Sequence, residues 1–186
     1  AKETFLSHGP SASTQLLAKN AGVSEGTLFK RFGNKKKLFL ESMQLIPLDC
    51  ESWYARLLER AAVMPLEELL VEAGIGLQEH FARNLPRIQA LMAYPDLNAA
   101  DHRSVMGDTN PFPLAVRRRF QALFDQQIEA GAIPSQDTYA LAALFAGAIT
   151  NDAHLRIILE VRDEETDPHS FVRRIAKTFT ALILSA

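Results

Sequence analysis

Hydrophobic residues recur every three or four positions along most of this chain, which is the spacing of one face of an α-helix. The clearest stripe comprises Leu66, Leu69, Leu70, Ala73, Leu77 and Phe81. The sequence shows no apolar–polar alternation of the kind that marks strands, and no dipeptide typical of hairpin turns. The pattern therefore predicts an all-α protein.

Prolines and glycines divide this pattern into separate helices. Beyond the first 33 residues, the predicted helices cover residues 34–47, 49–63, 65–81, 85–94, 114–130, 135–161 and 168–185. Residues 95–113 contain three prolines together with Gly107 and Asn110, and they predict a long loop that could gate a binding site.

The last two predicted helices carry more apolar surface than one small domain can cover. Residues 139–149 are apolar on all sides, and a helix of that kind must be buried on all sides. Pairing with the same helices of a second copy would bury the excess in an isologous four-helix interface. The predicted interface residues are Ala142, Phe145, Ala146, Ile149, Phe179 and Leu182. A monomer that encloses its central helix is the alternative.

Composition narrows the protein class. The chain has 186 residues, of which 47% are hydrophobic, so a sizeable core is expected. A single cysteine excludes an internal disulfide framework and fits a cytoplasmic protein. No apolar run is long enough to span a bilayer, so no membrane partner is expected.

The net charge of −2 is unevenly distributed. Residues 1–45 contain seven lysines and arginines against three glutamates, a net charge of +4, which leaves −6 for residues 46–186. A basic N-terminal segment on an acidic body is typical of a protein that binds nucleic acid through one end.

Residues 13–38 predict two short helices, a tight turn and the basic start of a third helix. Ser13 and Ser24 are predicted N-caps, because a serine hydroxyl can accept a hydrogen bond from an amide of the first helical turn. Gly22 permits the turn, since glycine adopts a positive φ at little cost.

The second of these helices has an inner and an outer face. Leu28 and Phe32 lie four residues apart and face inward. The outer face consists of Glu25, Gly26, Thr27, Lys30 and Arg31. This is the pattern of a helix-turn-helix, in which the second helix presents polar and basic side chains to the major groove.

The N-terminal sequence is similar to the DNA-binding domain of the TetR family of bacterial transcriptional regulators. The resemblance covers about the first 45 residues and rests on Phe5, Gly9, Ser13-Thr14, Leu17-Ala18, Ala21-Gly22-Val23-Ser24, Gly26-Thr27-Leu28-Phe29, Phe32, Lys35 and Leu38. The family usually has Tyr where Phe29 stands, so a hydroxyl that could bond a phosphate is missing.

The resemblance implies a three-helix DNA-binding domain over residues 1–45 and a helical effector-binding and dimerisation domain over residues 46–186. It implies a homodimer that binds a palindromic duplex operator and is not an enzyme. The implied DNA-binding residues are Thr14, Gln15, Ser24, Glu25, Gly26, Thr27, Phe29, Lys30, Arg31 and Lys35.

The resemblance also implies an apolar cavity for a small hydrophobic effector that releases the repressor from DNA. Its predicted lining is Trp53, Phe81, Met92, Met106, Phe112, Phe120, Phe124 and His154. Few fixed positive charges accompany these residues, which argues against an anionic ligand.

No cofactor, metal or catalytic group is predicted. The chain has no glycine-rich phosphate loop and no cysteine pair, and Glu79 and His80 point about 100° apart on a helix. Two alternatives to a ligand-responsive repressor remain: a regulator of the same fold without an effector, acting as activator or architectural protein, and a helical enzyme or binding module with a coincidental helix-turn-helix pattern. Salt-dependent binding to a palindrome separates both regulators from the third class.

Overall fold

A computed structural model of the chain describes residues 1–106, 112–161, 167 and 169–185. The regular secondary structure of these residues is helical, with no β-strand, which confirms the all-α prediction. None of the helices in the described ranges combines the length and apolar character that a membrane span requires.

Ten α-helices account for most of the described chain. They are α1 (Lys2–His8), α2 (Thr14–Ala21), α3 (Glu25–Phe32), α4 (Lys35–Ser42), α5 (Ser52–Arg60), α6 (Leu66–Met92), α7 (Ala99–Met106), α8 (Phe112–Glu129), α9 (Thr138–Ile157) and α10 (Ser170–Leu184). Short 3-10 turns occupy Gly9–Ser11 and Leu48–Cys50.

The chain divides into two compact units. The N-terminal unit comprises Ala1–Leu45 and Asn84–Phe112, and the second unit comprises Ile46–Arg83 and Pro113–Ala186. The first boundary coincides with the predicted one after residue 45, but the C-terminal part of α6 and all of α7 pack with the N-terminal helices. The functional division at residue 45 stays a prediction.

One hydrophobic cluster holds the N-terminal unit together. It is formed by buried residues that include Phe5, Leu17, Leu28, Phe39 and Leu91. The Phe39 ring of α4 contacts Phe5 edge-on, with centroids 5.1 Å apart, and lies 4.6 Å from the Tyr94 ring. The DNA-binding helices and the end of α6 thus share one core.

Aromatic rings from three helices form the core of the second unit. The Phe145 ring lies 5.8 Å from Phe120, 6.4 Å from Phe124 and 5.5 Å from Phe179. Close packing continues at Gly74, where a Cβ atom would lie 2.5 Å from Cγ1 of Val172. A glycine at this position therefore lets α6 approach α10.

Two predicted boundaries are wrong. Helix α6 continues through Pro86 to Met92, whereas the sequence indicated a break between residues 81 and 85. The proline removes the hydrogen bond to the carbonyl four residues earlier and its ring crowds that carbonyl, but packing of the residues on either side of it sustains the helix. The predicted loop 95–113 contains α7; its residues 107–111 lie outside the described residues.

Candidate DNA-binding site

The predicted caps and turn of the helix-turn-helix are present. The Ser13 hydroxyl accepts from the amide of Leu16 at 3.2 Å, and the Ser24 hydroxyl accepts from the amide of Thr27 at 3.1 Å. Gly22 ends α2 with a φ of 68°, a conformation that favours glycine. These local interactions fix the orientation of α3 relative to α2.

Helix α3 buries one side and exposes the other. Leu28 is 4% exposed, and Phe32 packs half-buried against the cluster of the N-terminal unit. Exposed on the other side are Gly26, Thr27, Lys30 and Arg31, a set we call the recognition face; Glu25 is half-buried. The Arg31 guanidinium lies 5.3 Å from the centroid of the Phe32 ring.

Three lysines follow α3 at the start of α4. Asn34 caps this helix, since its side-chain oxygen accepts from the amide of Lys37 at 2.8 Å. The side chain of Lys37 is exposed, and Lys35 lines a groove together with Ser11 and Tyr94. Positive side chains oppose the macrodipole at a helix start, so a negative partner is expected near them.

Lys36 has such a partner within the protein. Its ammonium lies 2.6 Å from Oδ2 of Asp101, the third residue of α7. The hydrogen bonds that Asp101 accepts from Lys36 and from the Asn98 amide hold the pKa of the carboxyl below its ordinary value. This ion pair joins α4 to α7.

Asp101 is absent from the predicted site residues because the sequence pattern predicts a loop where α7 lies. A signal was present, since Asn98 and Asp101 have the spacing of a capping box. The Asn98 side-chain oxygen accepts from the amides of Ala100 and Asp101 at 2.9 and 3.0 Å, and Asp101 accepts in return from the Asn98 amide at 2.9 Å.

The other predicted DNA-binding residues lie around the recognition face. Gln15 and Ser24 are exposed, and Thr14 and Phe29 are half-buried. The Ser24 and Thr27 hydroxyls lie 2.9 Å apart, so the pair can present one hydrogen-bond donor and one acceptor at the start of α3. All ten predicted residues fall within α2, α3, their caps and the first turn of α4.

The predicted effector residues do not form one lining. Trp53 borders a groove of about 200 Å³ between α5 and α6, where the indole covers Gly76, at which a Cβ atom would lie 2.3 Å from the ring. Phe120 and Phe124 belong to the aromatic core described above, Phe81 and Phe112 are buried, and Met106 is half-buried.

The structure contradicts the predicted placement of two of these residues, Met92 and His154, in a cavity lining. Met92 is 63% exposed and His154 is also exposed, so neither side chain lines an enclosed cavity. Met92 is the last residue of α6, and His154 lies on the solvent side of α9. Residue type predicted a pocket lining, whereas the helix phase decides which way a side chain points.

The predicted dimer residues are also mostly internal. Ala142, Phe145 and Ile149 are fully buried and Ala146 is 6% exposed, so these four side chains pack inside the chain itself. Phe179 joins the aromatic core, and Leu182 is exposed. A helix that is apolar on all sides offers two apolar faces, and the prediction selected the inner one.

The outer side of the same helices carries exposed apolar residues. We call Leu144, Gly147 and Leu155 of α9 and Leu182 of α10 the outer apolar face. The exposed fractions of Leu144 and Leu182 are 63% and 61%.

Catalytic and metal clusters do not emerge from the described part of the chain. No group of three or more His, Cys, Asp and Glu side chains there could hold a metal ion. His80 is fully buried and contacts the Glu51 carboxylate at 2.9 Å rather than Glu79. Burial alone would raise the pKa of the Glu51 carboxyl, but hydrogen bonds and electrostatic attraction from Arg83 and His80 outweigh it and lower the pKa below its ordinary value.

Comparison with known proteins assigns the N-terminal segment. Residues 1–42 match the profile of bacterial regulatory proteins of the tetR family. A comparison with curated proteins found no match.

The whole chain is similar in structure to solved transcriptional regulators. It aligns over 100% of its length with 94% of the regulator FadR from Bacillus subtilis in complex with stearoyl-CoA, at 15% identity and a TM-score of 0.62. It aligns over 100% of its length with 94% of the TetR-family regulator PfmR from Thermus thermophilus, at 18% identity and a TM-score of 0.60. The chain also aligns with the fatty acid degradation regulator FadR from Bacillus halodurans, over 96% of this chain and 93% of that protein. The identity is 15% and the TM-score is 0.64.

These matches confirm the resemblance drawn from the N-terminal residues. Residues 1–42 form a TetR-type helix-turn-helix domain, and the chain has the fold of a TetR-family transcriptional regulator.

Proposed function

We propose that the protein is a homodimeric, cytoplasmic repressor that binds a palindromic operator and leaves it when a small hydrophobic effector binds. The observation that carries the proposal is the recognition face. Helix α3 is capped and anchored by Leu28, while Thr27, Lys30 and Arg31 extend into solvent. Short polar and basic side chains on such a helix read base edges in the major groove.

The contacts divide into two kinds. Arg31 is proposed to pair with guanine, because its planar fork matches the two acceptors of that base. Thr14, Phe29 and Lys35 are proposed to contact the DNA backbone and to set the register of α3. The pairing of Lys36 with Asp101 leaves Lys35 and Lys37 as the lysines of this turn available to phosphates.

The outer apolar face supports a dimer. Leu144 and Leu155 lie eleven residues apart on α9, three helical turns along one side, and Leu182 is exposed on the adjacent α10. Burying these side chains against a second copy would give an isologous interface. The two recognition helices would then reach half-sites about one DNA turn, roughly 34–36 Å, apart or a small multiple of it.

The effector is proposed to bind in the helical body. One of the similar structures is a fatty acid degradation regulator by name, and another, a transcriptional regulator, was solved in complex with stearoyl-CoA, which supports an effector with a long apolar part. For release, the effector must bind one arrangement of the DNA-binding helices more tightly than the other. The contacts of α4 with Tyr94 and Asp101 supply a path, since a shift of α7 or of the end of α6 would move α4.

A two-stage experiment tests the proposal. Selection from a random pool of duplexes should yield a palindrome that the protein binds with strong salt dependence. Apolar compounds that raise the Tm of the protein should then weaken its binding to that palindrome, measured by fluorescence anisotropy. Stabilising compounds that leave DNA affinity unchanged would replace this proposal with a regulator that has no effector, and failure to select any palindrome would contradict the assignment of the recognition face.

A further inference from the structure

Arg87 on α6 is a buried cation without an anionic partner in the described part of the chain. Only 9% of its surface is exposed. Its Nη1 donates to the side-chain oxygen of Asn84 at 3.2 Å, and no carboxylate among the described residues pairs with its guanidinium. Asn84, one helical turn earlier, is itself fully buried and holds the guanidinium in place.

The two other ionisable side chains that are buried in the described residues, Asp152 and His80, have charged partners. Asp152, 8% exposed, accepts from Nε of Arg156 at 2.9 and 3.0 Å and from Gln78 at 3.0 Å. Glu51 contacts both His80 and Arg83. Arg87 therefore differs from Asp152 and His80, because it is buried without an oppositely charged partner among the described residues.

An unpaired buried guanidinium is unfavourable, and it cannot relieve the cost by losing its proton. Withdrawing most of an ion from water without a charged partner destabilises a protein. A buried lysine can deprotonate, whereas arginine keeps its charge at any physiological pH. A bound anion would supply the missing partner, and the planar fork of arginine matches carboxylate and phosphate oxygens in particular.

We propose that Arg87 binds the anionic group of the effector, and that the effector is an apolar molecule ending in a carboxylate or a phosphate. This inference rests on the proposed function and deepens it. It also revises the expectation of a neutral ligand, which followed from the scarcity of positive charge among the predicted lining residues. Ile88, next to Arg87, is half-buried and Leu91, one turn later, is fully buried, so α6 places apolar side chains beside the cation.

Three probes with the same eight-carbon chain test the proposal: octanoate, octyl phosphate and octan-1-ol. Their binding to the full chain is measured by calorimetry below the micellar concentration. The wild-type protein should bind octanoate or octyl phosphate at least about tenfold more tightly than octan-1-ol, and the better of the two identifies the anionic group.

Arg87→Met should remove this preference and leave the three probes within about threefold of one another. Methionine fills a similar volume without charge, so the variant should fold at least as stably as the wild type. Arg118→Met is the matched control, because Arg118 is an exposed arginine on α8, and it should keep the preference. Should Arg87→Met fail to fold, Arg87→Lys retains the charge without the fork and should show a reduced preference.

Equal affinity of the wild-type protein for all three probes would overturn the assignment, as would an unchanged preference in Arg87→Met or the absence of binding by both anions. Operator affinity measured in the same samples separates this inference from the proposed function. Anions that bind through Arg87 without releasing DNA would refute effector control and leave the anion site. Release by octan-1-ol as efficient as release by octanoate would keep effector control and refute the anion site.

Discussion

Helices α3 and α9 show opposite relations between sequence and burial. Helix α3 is amphipathic, with Leu28 on its inner side and Thr27 and Lys30 facing solvent, as predicted. Helix α9 has no charged residue between Thr138 and Asn151, and its residues divide into a buried inner side and an exposed apolar outer side. The sequence of an amphipathic helix predicts which side faces the core. The sequence of a helix that is apolar all round predicts only that both sides are covered by other residues.

The largest expected effect comes from the inner side of α9. Ala146→Arg should prevent stable folding, because Ala146 is 6% exposed and the substitution buries a charge without a partner. A loss of more than about 4 kcal/mol in the free energy of unfolding is expected, measured by urea denaturation with circular dichroism. A well-folded monomeric variant would show instead that Ala146 faces a second subunit.

A smaller effect is expected from the outer side of the same helix. Leu144→Arg should leave the subunit folded and give a species of 20.6 kDa in light scattering, while the wild type gives twice that mass. Each leucine removed from an interface forfeits about 1.5–3 kcal/mol of burial, and a symmetric dimer contains it twice.

Val63→Arg provides the control for this variant. Val63 is 86% exposed in the second unit and lies outside α9 and α10, so the substituted protein should remain dimeric. A dimeric Leu144→Arg protein, or a monomeric wild type at micromolar concentration, would contradict the proposed interface.

The smallest effect is expected at the ion pair between α4 and α7. Lys36 and the Asn98 amide lower the pKa of Asp101 in the folded state. The charge of Asp101 therefore stabilises the fold at pH values above 3.8, the ordinary pKa of this carboxyl. That contribution is lost as the pH falls through the lowered pKa. Asp101→Asn should therefore lower the Tm slightly at pH 7, and the difference from the wild type should shrink as the pH falls below about 4.

Glu41→Gln is the matched control for the ion pair, since Glu41 is an exposed carboxylate on α4. Its Tm should differ from that of the wild type by no more than the error at either pH. An Asp101→Asn protein whose Tm deficit persists undiminished at acid pH would show that the carboxylate charge is not the stabilising element.

Local signals in the sequence were sufficient for the N-terminal helices. The helix caps are hydrogen bonds that the side chains of Ser13, Ser24 and Asn34 accept from amides only three residues away. The turn at Gly22 depends on the φ angle of that one residue. These interactions need no knowledge of tertiary structure, so the helix-turn-helix and its recognition face could be read from the residues alone.

Long-range packing determines the features of the fold that the sequence pattern does not predict. The continuation of α6 through Pro86 and the pairing of Lys36 with Asp101 depend on neighbours far along the chain. A signal for Arg87 was present, because His80, Asn84 and Arg87 continue the apolar stripe of α6 at the same spacing. Polar residues at core positions mark sites where function overrides pattern.

Anisotropy titrations of Arg31→Ala and Lys35→Ala on the selected operator and on a scrambled duplex test the recognition face most directly. Arg31→Ala should lose about 1–3 kcal/mol of discrimination between the two duplexes. Lys35→Ala should weaken binding to both duplexes alike and reduce the slope of log K against log salt by about one. If both variants bind both duplexes as the wild type does, α3 and the start of α4 do not form the DNA-binding surface.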